Sequence, residues 1–105
     1  MVVAFDKKYL EELYVNGKTT DKHHRFQPDI VSRYVKVVNI MKNAGNVNDL
    51  ARLGGLHYEK LVGDKKGYSS VRVNEKYRVE FIEKTEGEQQ IATICNITDL
   101  TDHYK

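Results

Sequence analysis

The spacing of apolar side chains changes period once along this chain, near residue 55, and that switch restricts the possible fold more than any other feature. Upstream, apolar residues recur three and four apart, as on one face of a helix. Downstream they alternate and are rich in β-branched and aromatic types, as in half-buried strands. Tyr9, Leu10, Leu13 and Tyr14 share one face of a first helix, which Asn16-Gly17 is expected to end because glycine enters the left-handed conformation without strain. Before it, Met1 to Phe5 reads as a short edge strand, with Asp6 as the expected N-cap. Lys18 to Gln27 is polar and reads as a loop. Pro28 suits the first turn of a second helix, traced by Ile30, Tyr34, Val37, Val38 and Met41 and closed at Asn43-Ala44-Gly45. A brief third turn, Asn48 to Leu53, is expected to be capped by Asn48 and stopped by Gly54-Gly55.

Past the switch, Leu56–Val62, Tyr68–Asn74, Tyr77–Lys84 and Gln90–Ile97 are predicted strands of an antiparallel meander, separated by Gly63–Gly67, a tight Asn74-Glu75-Lys76 turn and Thr85–Glu88. Alternation turns Val71, Val73, Tyr77, Val79 and Phe81 toward the helices and puts Arg72, Arg78 and Glu80 on the other face. Helices first and strands afterwards give an α+β class, with N-terminal helices packed on one face of a small twisted antiparallel sheet. Residues 1–105 are expected to form a single domain, long enough to bury a core without metal or disulfide.

Composition narrows the setting. The single cysteine, Cys95, excludes an internal disulfide and points to a reducing compartment. It follows Ile91-Ala92-Thr93-Ile94 and reads as a buried structural thiol, since reactive cysteines need exposure and nearby positive charge. Asp6-Lys7-Lys8 interrupts the apolar start too early for a secretory signal, and no run approaches the ~20 apolar residues of a membrane span. A cytoplasmic protein without a membrane partner is expected. The net charge of +2 is too small to announce nucleic-acid binding. Its distribution is more pointed, because Lys18, Lys22, Arg25, Arg33, Lys36 and Lys42 face only Asp21 and Asp29 over the same stretch. Such a run is either a solvated helix face or a surface for phosphates or an acidic partner. His23-His24 lacks a third ligand at useful spacing, and no metal or cofactor is expected.

The stretch Glu59 to Phe81, which contains Val62-Gly63-Asp64-Lys65-Lys66-Gly67-Tyr68-Ser69-Ser70 and then Tyr77-Arg78-Val79-Glu80-Phe81, resembles the central signature of HigB-type toxins of the RelE/ParE superfamily. In that family a "PLKGD-x-x-G-x-W/Y-S" strand–turn–strand precedes a strand reading "W/Y/H-R-I/L-x-F/Y". The resemblance implies a RelE-like, microbial-ribonuclease-like fold. It also implies a toxin of a type II toxin–antitoxin pair that cleaves messenger RNA on the ribosome and is blocked by a cognate antitoxin, a helix-turn-helix HigA-like protein.

The resemblance also implies roles for particular residues. Arg78 matches the strand arginine that holds the scissile phosphate, a task suited to a planar, permanently charged guanidinium. The plainer alternative is a surface cation paired with Glu80 or Glu75. Glu59 falls where relatives carry a proposed general base, against the alternative of a solvated carboxylate. Tyr77 is placed either to stack on a base or to pack in the core. Lys60, Lys65, Lys66, Arg72 and Lys76 are candidate phosphate contacts. His57, two residues before Glu59, is an alternative base or acid on the same strand face.

This sequence departs from the pattern at two places. The lysine of "LKGD" is Val62, so Lys60 or Lys65 must substitute for it. The C-terminal catalytic tyrosine or histidine is missing, leaving Asp99 as a match to an acidic position and His103 and Tyr104 displaced by several residues. Those departures keep two alternatives open. One is a ParE-like toxin of DNA gyrase without nuclease residues; the other is a degenerate toxin acting only with its antitoxin in transcriptional autoregulation.

Overall fold

The computed structural model describes residues 1–102. Its elements run β1 (Val2–Phe5), α1 (Lys8–Asn16), α2 (Pro28–Asn43), α3 (Val47–Ala51), β2 (Glu59–Lys60), β3 (Ser69–Arg72), β4 (Arg78–Lys84) and β5 (Ile94–Thr101), with 3-10 turns at Gly54–Leu56 and Gly63–Lys65. The strands form one sheet in the order β1-β5-β4-β3-β2. The α+β class and the order of helices before sheet are those the periodicity implied.

Apolar faces explain the packing. Tyr9, Leu10 and Leu13 of α1 and Ile30, Tyr34, Val37, Val38 and Met41 of α2 are buried against Val71, Val79, Phe81 and Ile97 of the sheet. Tyr34 is fully enclosed, and its hydroxyl donates to the Leu10 carbonyl at 2.8 Å, which satisfies a buried polar group and ties α2 to α1. Pro28 opens α2 with its missing N–H at a position that needs none. Gly17 closes α1 at φ 73°, a left-handed conformation that a side chain would strain.

Several local expectations are corrected. β1 pairs with β5 in parallel, Val2 opposite Ile94 through Phe5 opposite Ile97, so the sheet is mixed and not a pure meander. Lys7, not Asp6, occupies the N-cap of α1 and makes no side-chain cap. Asp6 instead extends the strand, its N–H donating to the Ile97 carbonyl at 2.8 Å. Asn46, not Asn48, caps α3, accepting from the Asp49 N–H at 3.0 Å. The strand expected over Leu56–Val62 shrinks to Glu59–Lys60, because the Gly54–Leu56 turn consumes its start. The last strand lies further on than expected, at Ile94–Thr101, where β4 gives it a partner of similar length.

Candidate active site

Register places the polar side chains. Glu59 stands opposite Ser70, Ser70 opposite Glu80, and Glu80 opposite Asp99, a single transverse row across β2, β3, β4 and β5. The neighbouring row holds Arg72, Arg78 and Thr101. Because side chains alternate across a strand, both rows lie on the face opposite Val71, Val79 and Phe81, away from the core. A bulge between Glu80 and Phe81 keeps this alternation in phase: Thr98 is the extra residue, and its hydroxyl donates to the Glu80 carbonyl at 3.2 Å.

Arg78 is the centre of this face. It is only 6% exposed. Its Nε donates to Ser70 Oγ at 2.8 Å, and its Nη2 donates to the His57 carbonyl at 2.6 Å and to the Ser70 carbonyl at 3.4 Å. Glu59 Oε1 lies 3.7 Å from Nη2, beyond hydrogen-bond length but within an ion pair. The Glu59 side chain is 51% exposed, so the pair has one buried and one solvated member. A guanidinium held this way loses little further freedom on binding an anion.

His57 reaches this centre differently from the expectation. It lies on no strand; it caps the Gly54–Leu56 turn at φ 47°, the single non-glycine residue at positive φ among the described residues. That strained conformation accompanies the carbonyl donated onto by Arg78, while ring Nε2 lies 3.4 Å from Arg72 Nη1. His57 therefore contacts both arginines.

Glu80 is 2% exposed, and Lys65 Nζ is 3.2 Å from its Oε1. The hydrogen bond and charge of Glu80 raise the Lys65 ammonium above the ordinary lysine range. Lys65 ends the 3-10 turn that starts just after Val62. Its N–H donates to the Val62 carbonyl at 3.3 Å, which ties the start of the turn to its end. Val62 itself is 83% exposed. Lys60 neighbours Glu59 on β2, and alternation sends it to the opposite side of the sheet.

At the β5 edge, Asp99 Oδ1 accepts from the Tyr9 hydroxyl at 2.9 Å. Burial first, then this bond to Asp99, pushes the Tyr9 phenol well above the ordinary tyrosine range. Tyr9 in turn stacks on His24, with ring centroids 3.7 Å apart and planes within 8°.

Other predicted contacts lie outside this constellation. Tyr77 is partly buried against the core and meets Phe26 edge-on at 5.8 Å, the packing role and not the stacking one. Lys66 and Lys76 are exposed, Lys76 within a turn whose Asn74 Oδ1 accepts from the N–H groups of Lys76 and Tyr77. His103 and Tyr104 lie outside the described residues. Sequence reasoning put Glu80 on this face with Arg72 and Arg78 but missed Ser70, and it missed Tyr9 and His24 as neighbours of Asp99. Ser70 and Arg72 share a strand face by spacing, and that signal was available; the Lys65–Glu80 and Tyr9–Asp99 contacts depend on register and leave none.

The architecture is that of small toxins from toxin–antitoxin pairs. A YoeB/ParE toxin from Agrobacterium tumefaciens is similar over 99% of this chain and 100% of that one, with a TM-score of 0.56 at 18% identity. A YoeB-YefM complex from Staphylococcus aureus is similar over 99% of this chain and 98% of that one, with a TM-score of 0.53 at 18% identity. Identities this low carry the fold alone. Sequence carries the family: the model for RelE-like toxins of the type II toxin-antitoxin system HigB matches residues 3–93. Toxin HigB-1 of Vibrio cholerae is 34% identical over 82 residues, covering 77% of this chain and 82% of that protein. The chain belongs to the HigB-like toxin family. β5 begins at Ile94, just past the matched residues, so Asp99 stands on a strand the family match does not include.

Proposed function

We propose that this toxin is a metal-independent endoribonuclease that cleaves messenger RNA on the ribosome. The observation that carries the reading is Glu59 Oε1 at 3.7 Å from Arg78 Nη2 on the face opposite the core. Cleavage by the 2′-hydroxyl needs a base, a cation for the growing phosphate charge and an acid for the leaving oxygen. Glu59 takes the 2′-hydroxyl proton, and the freed oxygen attacks phosphorus. Arg78 holds the phosphate oxygens as negative charge builds. The bond from phosphorus to the 5′-oxygen breaks, leaving a 2′,3′-cyclic phosphate, and a proton reaches the departing 5′-oxygen. His103 or Tyr104 supplies that proton. The support is sequence position and chemistry: His103 and Tyr104 follow β5 within a few residues, and imidazole and phenol can both donate a proton.

Lys65 serves in place of the lysine missing at position 62, with Arg72 beside Arg78 as a further phosphate contact. Lys60, Lys66 and Lys76 contact ribosomal RNA at longer range. The toxin works in the cytoplasm as a single domain, and a cognate helix-turn-helix antitoxin of the HigA kind neutralises it. Among the described residues no helix is long and apolar enough to cross a membrane. The deciding experiment is induction with messenger 5′ ends mapped. Growth arrest with cuts in the ribosomal A site, abolished by Arg78→Ala, is the expected result. Arrest with intact messengers and broken DNA would instead point to gyrase and overturn the nuclease reading.

A further inference from the structure

We propose that the His24 imidazole is a stacking platform for an unpaired messenger base a few nucleotides from the cut, an assignment that rests on the nuclease reading above. The argument begins with the row Glu59–Ser70–Glu80–Asp99. It spans four strands, roughly 14 Å at the usual ~4.8 Å strand spacing, so one end lies at the Glu59–Arg78 pair and the other at the β5 edge. RNA gripped at Arg78 and passing over the buried Ser70 and Glu80 arrives at Asp99, which is partly exposed. Attached to Asp99 is the Tyr9 hydroxyl, and upon the Tyr9 ring lies His24.

Three features make His24 more than a loop residue resting on a helix. Its ring is parallel to a buried tyrosine at 3.7 Å, so one ring face is covered, and 36% of the side chain is exposed. Its orientation is fixed: Nδ1 lies 2.9 Å from Asp21 Oδ2. The loop carrying it is itself fastened, with the Asp21 N–H donating to Thr19 Oγ1 at 3.1 Å and the Thr19 hydroxyl donating to Glu12 of α1 at 2.6 Å. A flat, partly exposed, immobilised aromatic ring is what unstacked bases seek, and it gains affinity because little is left to order on binding. Lys22 and Arg25, exposed in the same loop two residues before and one after His24, bring positive charge for the backbone. Glu59 and Glu80 are paired with Arg78 and Lys65, whereas Asp99 accepts from the Tyr9 hydroxyl, so at the Asp99 end of the row a base, not a phosphate, is turned toward the protein.

The test is a thermodynamic cycle on ribosomes programmed with a messenger whose 2′-oxygen at the cut is methylated, so that binding is read without cleavage. One arm changes His24→Ala in the toxin; the other places an abasic nucleotide at successive positions flanking the cut. At one position, each change alone is expected to weaken binding about tenfold, in line with the stacking of a single base. Together they should cost no more than one alone. His24→Phe should bind as wild type, which separates stacking from proton transfer. Additive losses at every position, or wild-type affinity for His24→Ala with melting unchanged, would overturn the platform while leaving the nuclease reading intact. Failure of wild-type toxin to bind the programmed ribosome at all would overturn both.

Discussion

Glu59 and Arg78 meet across a strand that belongs to neither of them. Glu59 lies on β2 and Arg78 on β4, and between them Ser70 of β3 accepts from Arg78 Nε at 2.8 Å while Glu59 Oε1 approaches Nη2 to 3.7 Å. The serine hydroxyl, with the strained carbonyl of His57, aims the guanidinium sideways along the row toward β2. The pairing is thus a property of the assembled sheet, and the predictions concern what each partner does within it.

Replacing Arg78 separates charge from geometry. Arg78→Ala should lower messenger cleavage roughly a hundred- to a thousandfold, the usual loss for one transition-state donor. Arg78→Lys keeps the charge but cannot hold Ser70 and His57 together through one planar fork. Lysine is therefore expected to fail nearly as badly. Initial rates on programmed ribosomes decide this, and a lysine variant with wild-type rate would show that charge alone suffices.

Glu59 should behave as chemistry without structure. Its side chain is half exposed and 3.7 Å from Arg78, which keeps its bonds to Ser70 and His57 without it, so Glu59→Gln is expected to leave the melting temperature within about a degree or two. Cleavage should nevertheless fall roughly a hundredfold or more, as for loss of a general base. An unchanged rate at saturating messenger would remove Glu59 from the mechanism.

Lys65 and Glu80 should show the opposite balance. Lys65→Ala leaves a buried carboxylate without its ammonium and is expected to destabilise the fold by about 1 kcal/mol, a value kept low because the lysine is half exposed. Adding Glu80→Gln should recover most of that loss. The pH dependence has a definite sign. Glu80 raises the Lys65 value in the folded state, so the stabilisation is complete below the ordinary lysine value near 10.5 and disappears as pH rises through the raised one. Urea denaturation followed across alkaline pH should show this loss in wild type and not in Lys65→Ala.

Cys95 should report on opening of the core. Burial, helped by the nearby Glu83 charge, pushes its thiol up to about 12. The native protein is therefore expected to resist alkylation at pH 8, where little thiolate forms and no reagent reaches it. Labelling should appear in step with global unfolding in denaturant, as read by mass spectrometry. Rapid labelling without denaturant would mean that the β1–β5 seam opens on its own.

Much of this architecture was legible because periodicity is a local property. The α2 apolar stripe, the Pro28 start, the Gly17 stop and the alternation through Val71, Val79 and Phe81 all follow from residues a few positions apart. Parallel pairing of β1 with β5 could not be read that way, since nothing in Val2–Phe5 states the direction of a partner some ninety residues later. Cap positions failed for a related reason. Asp6 is a better cap than Lys7 by composition, yet its backbone is engaged with Ile97 and continues the strand. At the candidate site the signature singled out Arg78 and Glu59, whereas the stack of Tyr9 on His24 joins a helix to a loop through rings alone. His57 was misplaced because a left-handed non-glycine residue is too uncommon to expect from sequence.

The parallel seam carries a consequence for how such a molecule comes into being. Val2–Phe5 finds its neighbour in Ile94–Ile97, and Arg78 stands opposite Thr101, so β1 and the strand that carries Arg78 both depend on residues 94–101. Contacts so distant in the chain close late. A chain without residues 94–101 offers β1 no neighbour and Arg78 no strand on that side, so the face that carries the guanidinium depends on pairing between distant parts of the sequence.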